Sequence, residues 1–268
     1  MYTDFDKRMK RYELASKQFL TQRTPVIIRI DGKNFHTFTK GFDEPFDNIF
    51  LSAMRDTMKY LCENIEGCVF GYTQSDEITL VLVDYQTIKT QSWFGYNVQK
   101  LCSVTAGMTT MMFNETMFRI VANNFDTYLM NTPYFVEKNI CGYRGIKTGV
   151  FDARCFNIPK EDVCNNLIWR QKDCIRNSIS RVAHSYFSNK ELYKKTQSEM
   201  EEMLLKNAGI NWNDYPVDLK YGVCCYREEC DVVNKDDGAI IKRNKYIIDE
   251  HPPVFSEQRD YVNKHIYV

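Results

Sequence analysis

Apolar residues recur along this chain at two different spacings. Residues 26–30, 68–72 and 78–84 are short, almost continuous apolar runs, the pattern of buried strands. Between the first two, Phe46, Ile49, Phe50, Ala53, Met54, Met58 and Leu61 fall on one side of a helix predicted over residues 45–64. Residues 93–118 predict a second long helix, and residues 149–158 a further strand stopped at Pro159. A charged surface helix is expected over residues 5–19, broken at Thr24-Pro25. Residues 73–77 form a tight polar connection, so the strands on either side are expected to pair as a hairpin. The order β, α, β, β, α, β predicts an α+β fold of the split βαβ type, an antiparallel or mixed sheet with helices packed on one face. In that topology the end of the first strand lies beside the hairpin tip. Asp31 and Asp76, 45 positions apart, are therefore expected to converge.

The second half reads differently. A long helix is predicted over residues 161–187, then a charged amphipathic helix over 191–207 closed by Gly209. Residues 219–226 and 239–248 are strand-like, with Asp236-Asp237-Gly238 as a turn signal before the second, and the tail from His251-Pro252-Pro253 is expected to be extended. The chain thus divides into an α+β core with an N-terminal helix, residues 1–158, and a helical and β-hairpin region, residues 159–268, packed on it, all within one domain or as a core with a smaller addition.

Charge and cysteine content narrow the function classes. Among 268 residues, 35 Lys and Arg balance 35 Asp and Glu, so a nucleic-acid partner has to be held by a local patch. The candidates are Lys138, Arg144 and Lys147, then Lys172, Arg176 and Arg181, then Lys242, Arg243 and Lys245. No apolar run approaches a spanning length, and residues 1–17 lack an apolar signal core, so no membrane role is expected and the expected compartment is the cytoplasm, with mitochondria left open. The ten cysteines lie mostly alone; Cys224, Cys225 and Cys230, with His251 as the nearest later histidine, fit no usual zinc spacing, and free buried thiols are expected. None of the four histidines stands beside a Ser or Cys elbow, and His184 is expected to be packed on an apolar helix. There is no P-loop and no G-x-G-x-x-G.

Two stretches carry candidate chemistry, Ile27–His36 and Phe70–Leu80. The first ends a strand at Asp31, turns on Gly32 and continues with Lys33, Asn34, Phe35 and His36. A lone strand-end Asp is ordinarily a turn or cap residue. Here Gly32 permits close backbone approach and donors follow at once, which suits a metal-bridged triphosphate. The second puts Ser75, Asp76 and Glu77 at the hairpin tip. Asp76 is the expected ligand; Glu77 alternates to the other face, as a supporting or structural group. Strand-end carboxylates brought together from two places suit hydrated Mg²⁺, and two such ions can hold both oxygens of a phosphoryl displacement.

Arg-Ile-Asp-Gly-Lys-Asn-Phe-His (29–36), Gln-Ser-Asp-Glu (74–77), Phe-Asp-Ala-Arg (151–154) and Trp-Arg-Gln-Lys-Asp-Cys (169–174) resemble, in order and spacing, motifs of the tRNA-His guanylyltransferase family. The resemblance covers about the first two thirds of the chain. It implies a polymerase-palm-like core and a metal-dependent nucleotidyltransferase that extends the 5′ end of tRNA in the 3′-to-5′ direction. A nucleoside triphosphate, typically ATP, activates the 5′-monophosphate; the 3′-hydroxyl of an incoming nucleotide, often GTP, then attacks it. It implies two Mg²⁺ ions held by Asp31, Asp76 and the Gly32 carbonyl. Nucleotide contacts are implied from Asp31, Gly32, Lys33, Asn34, Phe35, His36, Ser75 and Asp76, with Asp31, Asp76 and Glu77 as the catalytic acids. A homo-oligomer, a tetramer, is implied as well.

The sequence also departs from the family. Where guanylyltransferases dedicated to histidine tRNA carry His-Ile-Asn-Asn-Leu-Tyr-Asn, residues 175–181 are Ile-Arg-Asn-Ser-Ile-Ser-Arg. A family lysine is Glu44, and an Arg-Arg pair is Tyr96-Asn97. These changes point to the branch of like proteins and to template-directed 5′ repair or editing, ahead of non-templated guanylyl addition to tRNA-His. A nucleotide cyclase and an RNA-binding protein without catalysis are the rival classes; Trp169-Arg170-Gln171 argues against the first, retention of Asp31 and Asp76 against the second.

Overall fold

The computed structural model describes residues 3–123, 135–136, 145–233 and 240–267. In chain order the elements are α1 (Asp4–Leu14), β1 (Val26–Gly32), the single turn α2 (Phe35–Phe38), α3 (Asn48–Asn64), β2 (Cys68–Gln74), β3 (Glu77–Leu82), α4 (Val98–Asn123), β4 (Phe135–Val136), β5 (Gly145–Ile146) and β6 (Phe151–Asn157). They continue with α5 (Lys160–Tyr186), α6 (Asn189–Leu192), α7 (Gln197–Met203), α8 (Val217–Tyr221), β7 (Val223–Val233), β8 (Ile240–Asp249) and α9 (Asp260–Asn263). Among the described residues, no helix is long and apolar enough to cross a membrane.

The main sheet has strand order β6-β1-β3-β2-β7-β8, and every neighbouring pair is antiparallel. The first four positions are the predicted split βαβ arrangement. The late hairpin β7–β8 extends the same sheet by pairing on β2. On one face, Val26, Ile28, Ile30, Ile78 and Leu80 pack with Phe50, Met54 and Met58 of α3 and Leu101 and Phe113 of α4. On the other, Ile27, Phe70, Tyr72 and Val81 pack with Val163, Cys164 and Leu167 of α5 and with Phe255, Val262 and Ile266. The expectation of helices on one face therefore holds only for α3 and α4; α5 covers the second face. The apolar runs of β1 to β3 are continuous rather than alternating because both faces are buried.

Several local expectations are corrected. Residues 191–207 are not one helix: Ser188 with Glu191, and Thr196 with Glu199, each close a capping box that starts its own short helix, α6 and α7. Gly209 does end the second stretch in the left-handed conformation. Residues 219–226 are not all strand, because α8 runs to Tyr221 and Gly222, at φ +81°, turns the chain into β7. The tail is not extended; α9 forms, and Phe255, Val262 and Ile266 are buried. His184 is exposed rather than packed. Cys224 and Cys225 belong to the clusters on opposite faces of the sheet, so they cannot converge on one ion. Lys138, Arg144 and the 236–238 turn lie outside the described residues.

Candidate active site at the hairpin tip

Pairing of Gln74 with Glu77 leaves Ser75 and Asp76 as the two residues of the β2–β3 turn. Ser75 adopts φ +49°, a conformation uncommon outside glycine and concentrated at functional sites. The Thr73 hydroxyl donates to the Glu77 carbonyl at 2.9 Å and steadies the turn. Asp31 pairs with Glu77 in the β1–β3 ladder. The Gly32 N–H donates to the Asp76 carbonyl at 3.1 Å, tying the strand end to the hairpin tip. The two predicted stretches thus meet.

They open on a cleft of about 370 Å³ lined by Asp31, Gly32, Asn34, Phe35, His36, Thr39, Phe50, Ser75, Asp76 and Arg181. Asn34 turns at φ +56° and starts α2, which carries His36 to the cleft wall. Phe35 folds back instead. Its ring contacts Phe38, Phe50, Phe113 and Phe151 and forms the floor. A Cβ on Gly32 would stand 2.3 Å from that ring, so what approaches this glycine closely is Phe35. Lys33 is exposed and is not among the lining residues.

Asp76 is largely withdrawn from water. Burial raises its pKa above the usual carboxylate range, against hydrogen bonding from its own backbone N–H and from Ser75; the charge of Asp31 raises it further and Arg181 opposes. The Ser75 hydroxyl donates to Asp76 Oδ1 at 3.0 Å. Asp31 is more open, with Arg154 Nη2 3.9 Å from its carboxylate. Two carboxylates that repel each other across an open cleft are the oxygen donors a hard divalent cation takes, together with water and phosphate oxygens. Among the described residues no group of three or more His, Cys, Asp or Glu forms a closed metal cage. A cation held in part by substrate phosphates needs none.

Glu77 points away, under α5. Arg170 Nε donates to its Oε1 at 2.6 Å and Nη2 to its Oε2 at 2.7 Å, a bidentate pair with both side chains buried. Burial raises the pKa of Glu77 and Arg170 counters. Arg170 also bonds Asp173 at 2.7 Å, and Asp173 pairs with Arg176. Gln171 accepts from the Phe255 N–H at 2.8 Å and donates to the Pro253 carbonyl at 3.0 Å. The Trp-Arg-Gln block is thus the fastening between hairpin tip, long helix and C-terminal segment.

A family profile described as Thg1, tRNAHis guanylyltransferase, matches residues 6–159. The chain belongs to this family. The tRNA(His) guanylyltransferase of Schizosaccharomyces pombe is 29% identical over 236 residues, spanning 83% of this chain and 80% of that protein. A bacterial tRNA(His) guanylyltransferase (Thg1)-like protein in complex with ATP superposes with TM-score 0.82 at 37% identity, covering 99% of this chain and all of that one. The corresponding complex with GTP gives TM-score 0.77 at 36% identity, with 99% of this chain and 100% of that chain covered. As a member of the Thg1 family the protein is a nucleotidyltransferase.

Within this Thg1-family site, Arg181 is the residue that the motifs did not assign. Sequence reasoning placed it only among scattered cations. The signal was there: Arg170, Cys174, Asn177 and Arg181 follow each other at helical spacing on α5, so the stripe that grips Glu77 leads to Arg181. The residues replacing the family Arg-Arg pair serve structure instead. Tyr96 is buried, and the Asn97 side chain accepts the Lys100 N–H at the start of α4.

Proposed function

We propose that this chain adds nucleotides to the 5′ end of tRNA in the 3′-to-5′ direction, metal-dependently and after activation of that end by a nucleoside triphosphate, and that its role is template-directed 5′ repair. The observation that carries the proposal is the meeting of Asp31 and Asp76, from two strands, at one open cleft with Gly32 between them. Such a transfer depends on in-line positioning and neutralised phosphate charge more than on a protein nucleophile. Asp31 and Asp76, with the Gly32 carbonyl, would hold two Mg²⁺ ions. When bound, the ions supply charge neutralisation at the phosphates. Asn34, His36 and Ser75 frame the space for the triphosphate, and the Phe35 ring keeps its floor dry. Glu77 fixes the tip through Arg170 rather than reaching the cleft. ATP and GTP are proposed as substrates because the bacterial Thg1-like protein was solved with each.

Repair is favoured over guanylyl addition to tRNA-His by residues 175–181, which differ from the dedicated enzymes and end at the cleft wall with Arg181. The test supplies tRNAs that lack one or more 5′ nucleotides, with each NTP in turn. Addition dictated by the opposite strand, whatever the tRNA, is expected. Guanylyl addition confined to tRNA-His would establish the second reading, and a cyclic nucleotide formed without RNA would overturn both. A homotetramer belongs to the same proposal. Met111 and Phe118 on α4, more than half exposed, are candidate contacts, and light scattering of the purified chain checks it.

A further inference from the structure

Arg181 differs from the other arginines near this site. Arg170, Arg176, Arg154 and Arg55 each pair with a carboxylate. Among the described residues, Arg181 makes one hydrogen bond, from Nη2 to Ser75 Oγ at 3.1 Å, and no ion pair. It is only partly buried. It also lines three adjoining spaces. The first is the cleft of Asp31 and Asp76. The second is bounded by Thr39, Phe42, Phe50 and His184 and by Asp43, Glu44, Pro45 and Asp47, so Arg181 is the cation that faces its acidic rim. The third is a largely apolar recess with Phe46, Met54, Asn177 and Val223. A guanidinium stays charged at any working pH, and its fork matches phosphate oxygens in pairs. An uncommitted one at a junction of cavities beside two carboxylates is placed for a polyanion.

We propose that Arg181 is the phosphate-binding residue of this site, gripping the triphosphate of the nucleotide where the first two spaces meet. The assignment rests on the nucleotidyltransferase reading above. Chemically, the ligand is a nucleoside di- or triphosphate, held through its phosphates and not its base. Ser75 orients the free guanidinium toward the cleft, which accounts for an arginine that would otherwise be only a brace for the hairpin tip.

The experiment separates grip from brace. Binding of GTP, GMP and guanosine to the full chain with Mg²⁺ is measured calorimetrically for wild type, Arg181→Gln and Arg181→Lys, with melting temperatures alongside. Gln keeps a polar amide of part of the length but carries no charge. Arg181→Gln is expected to weaken GTP at least about tenfold, the size of one lost charge-assisted contact. Its melting temperature and its affinity for guanosine should stay unchanged, and Arg181→Lys should recover part of the loss. Unchanged GTP binding by Arg181→Gln, or a loss matched for guanosine, would overturn the assignment. Wild-type protein that binds none of the three would count against the nucleotidyltransferase reading itself, and the assignment would fall with it.

Discussion

Asp76 and Glu77 are adjacent acids in the same hairpin, and they live in opposite surroundings. Asp76 sits at the turn, faces a cleft shared with Asp31, and has a hydroxyl for its nearest partner. Glu77 opens β3, lies under α5 and is held by both arms of the Arg170 fork. One step along the chain separates them: Asp76 ends the turn, and Glu77 is the first residue of β3, with its side chain on the face that α5 covers. The difference teaches where the chain places unmet charge. The acid that faces the cleft makes no ion pair among the described residues and feels only the charge of Arg181, while its neighbour is held by a bidentate guanidinium. Removing either will harm the enzyme, through different routes.

The sharpest way to break this contrast is Asp76→Ala or Asp31→Ala. Each is expected to reduce nucleotide addition by orders of magnitude while the circular dichroism spectrum and a cooperative melt are retained; near-normal extension of a 5′-truncated tRNA by either variant would remove that acid from the reaction. Next in size is Arg170→Met. It leaves the buried Glu77 carboxylate with only Arg29, 4.0 Å away, and loss of one partner of such a pair costs about 3–5 kcal/mol. Denaturant unfolding should show that loss. The double variant Glu77→Met with Arg170→Met should recover most of the stability, since two well-packed apolar groups can replace a buried pair. A double variant no better than the single one would mean that the pair does more than neutralise itself.

A smaller effect concerns pH. Burial raises the folded-state pKa of Asp76, so its ionised form opposes folding above the ordinary carboxylate range. Metal-free Asp76→Asn should therefore melt above the wild type at neutral pH. The gap should close as pH falls through the raised pKa, because the folded wild type takes up its proton there. A constant gap down to acid pH would assign the gain to something other than ionisation. The smallest change is expected for Arg154→Ala. Its contacts with Asp152 at 2.9 Å and Asp31 at 3.9 Å are exposed, and such pairs contribute about 0–1 kcal/mol. A large drop in stability would show that Asp31 depends on a cation within the protein, contrary to its contrast with Glu77.

Much of the fold was legible because its signals are local. The apolar runs of β1 to β3, the periodic face of α3 and the polar turn between Thr73 and Glu77 each follow from spacing, and together they gave the split βαβ order. What escaped was nonlocal or governed by side-chain capping. The break between α6 and α7 depends on two capping boxes, and the burial of Phe255 depends on a sheet face that closes only after α5 has crossed it. In the site, Asp31, Gly32 and Asp76 could be named from strand ends and small neighbours. The environment of Glu77 could not, since its partner lies 93 positions away.

The sequence by itself determined β1 to β3 and β6, the long helices α3, α4 and α5, the two carboxylate stretches and the family motifs, because apolar periodicity and turn chemistry act between near neighbours. The tertiary structure alone decided which acid faces the cleft and which is paired, that the Phe35 ring packs against Gly32, and that Arg181 reaches the cleft. Those outcomes depend on groups far apart in the chain coming within a few ångströms, and on how much water each carboxylate keeps once they do.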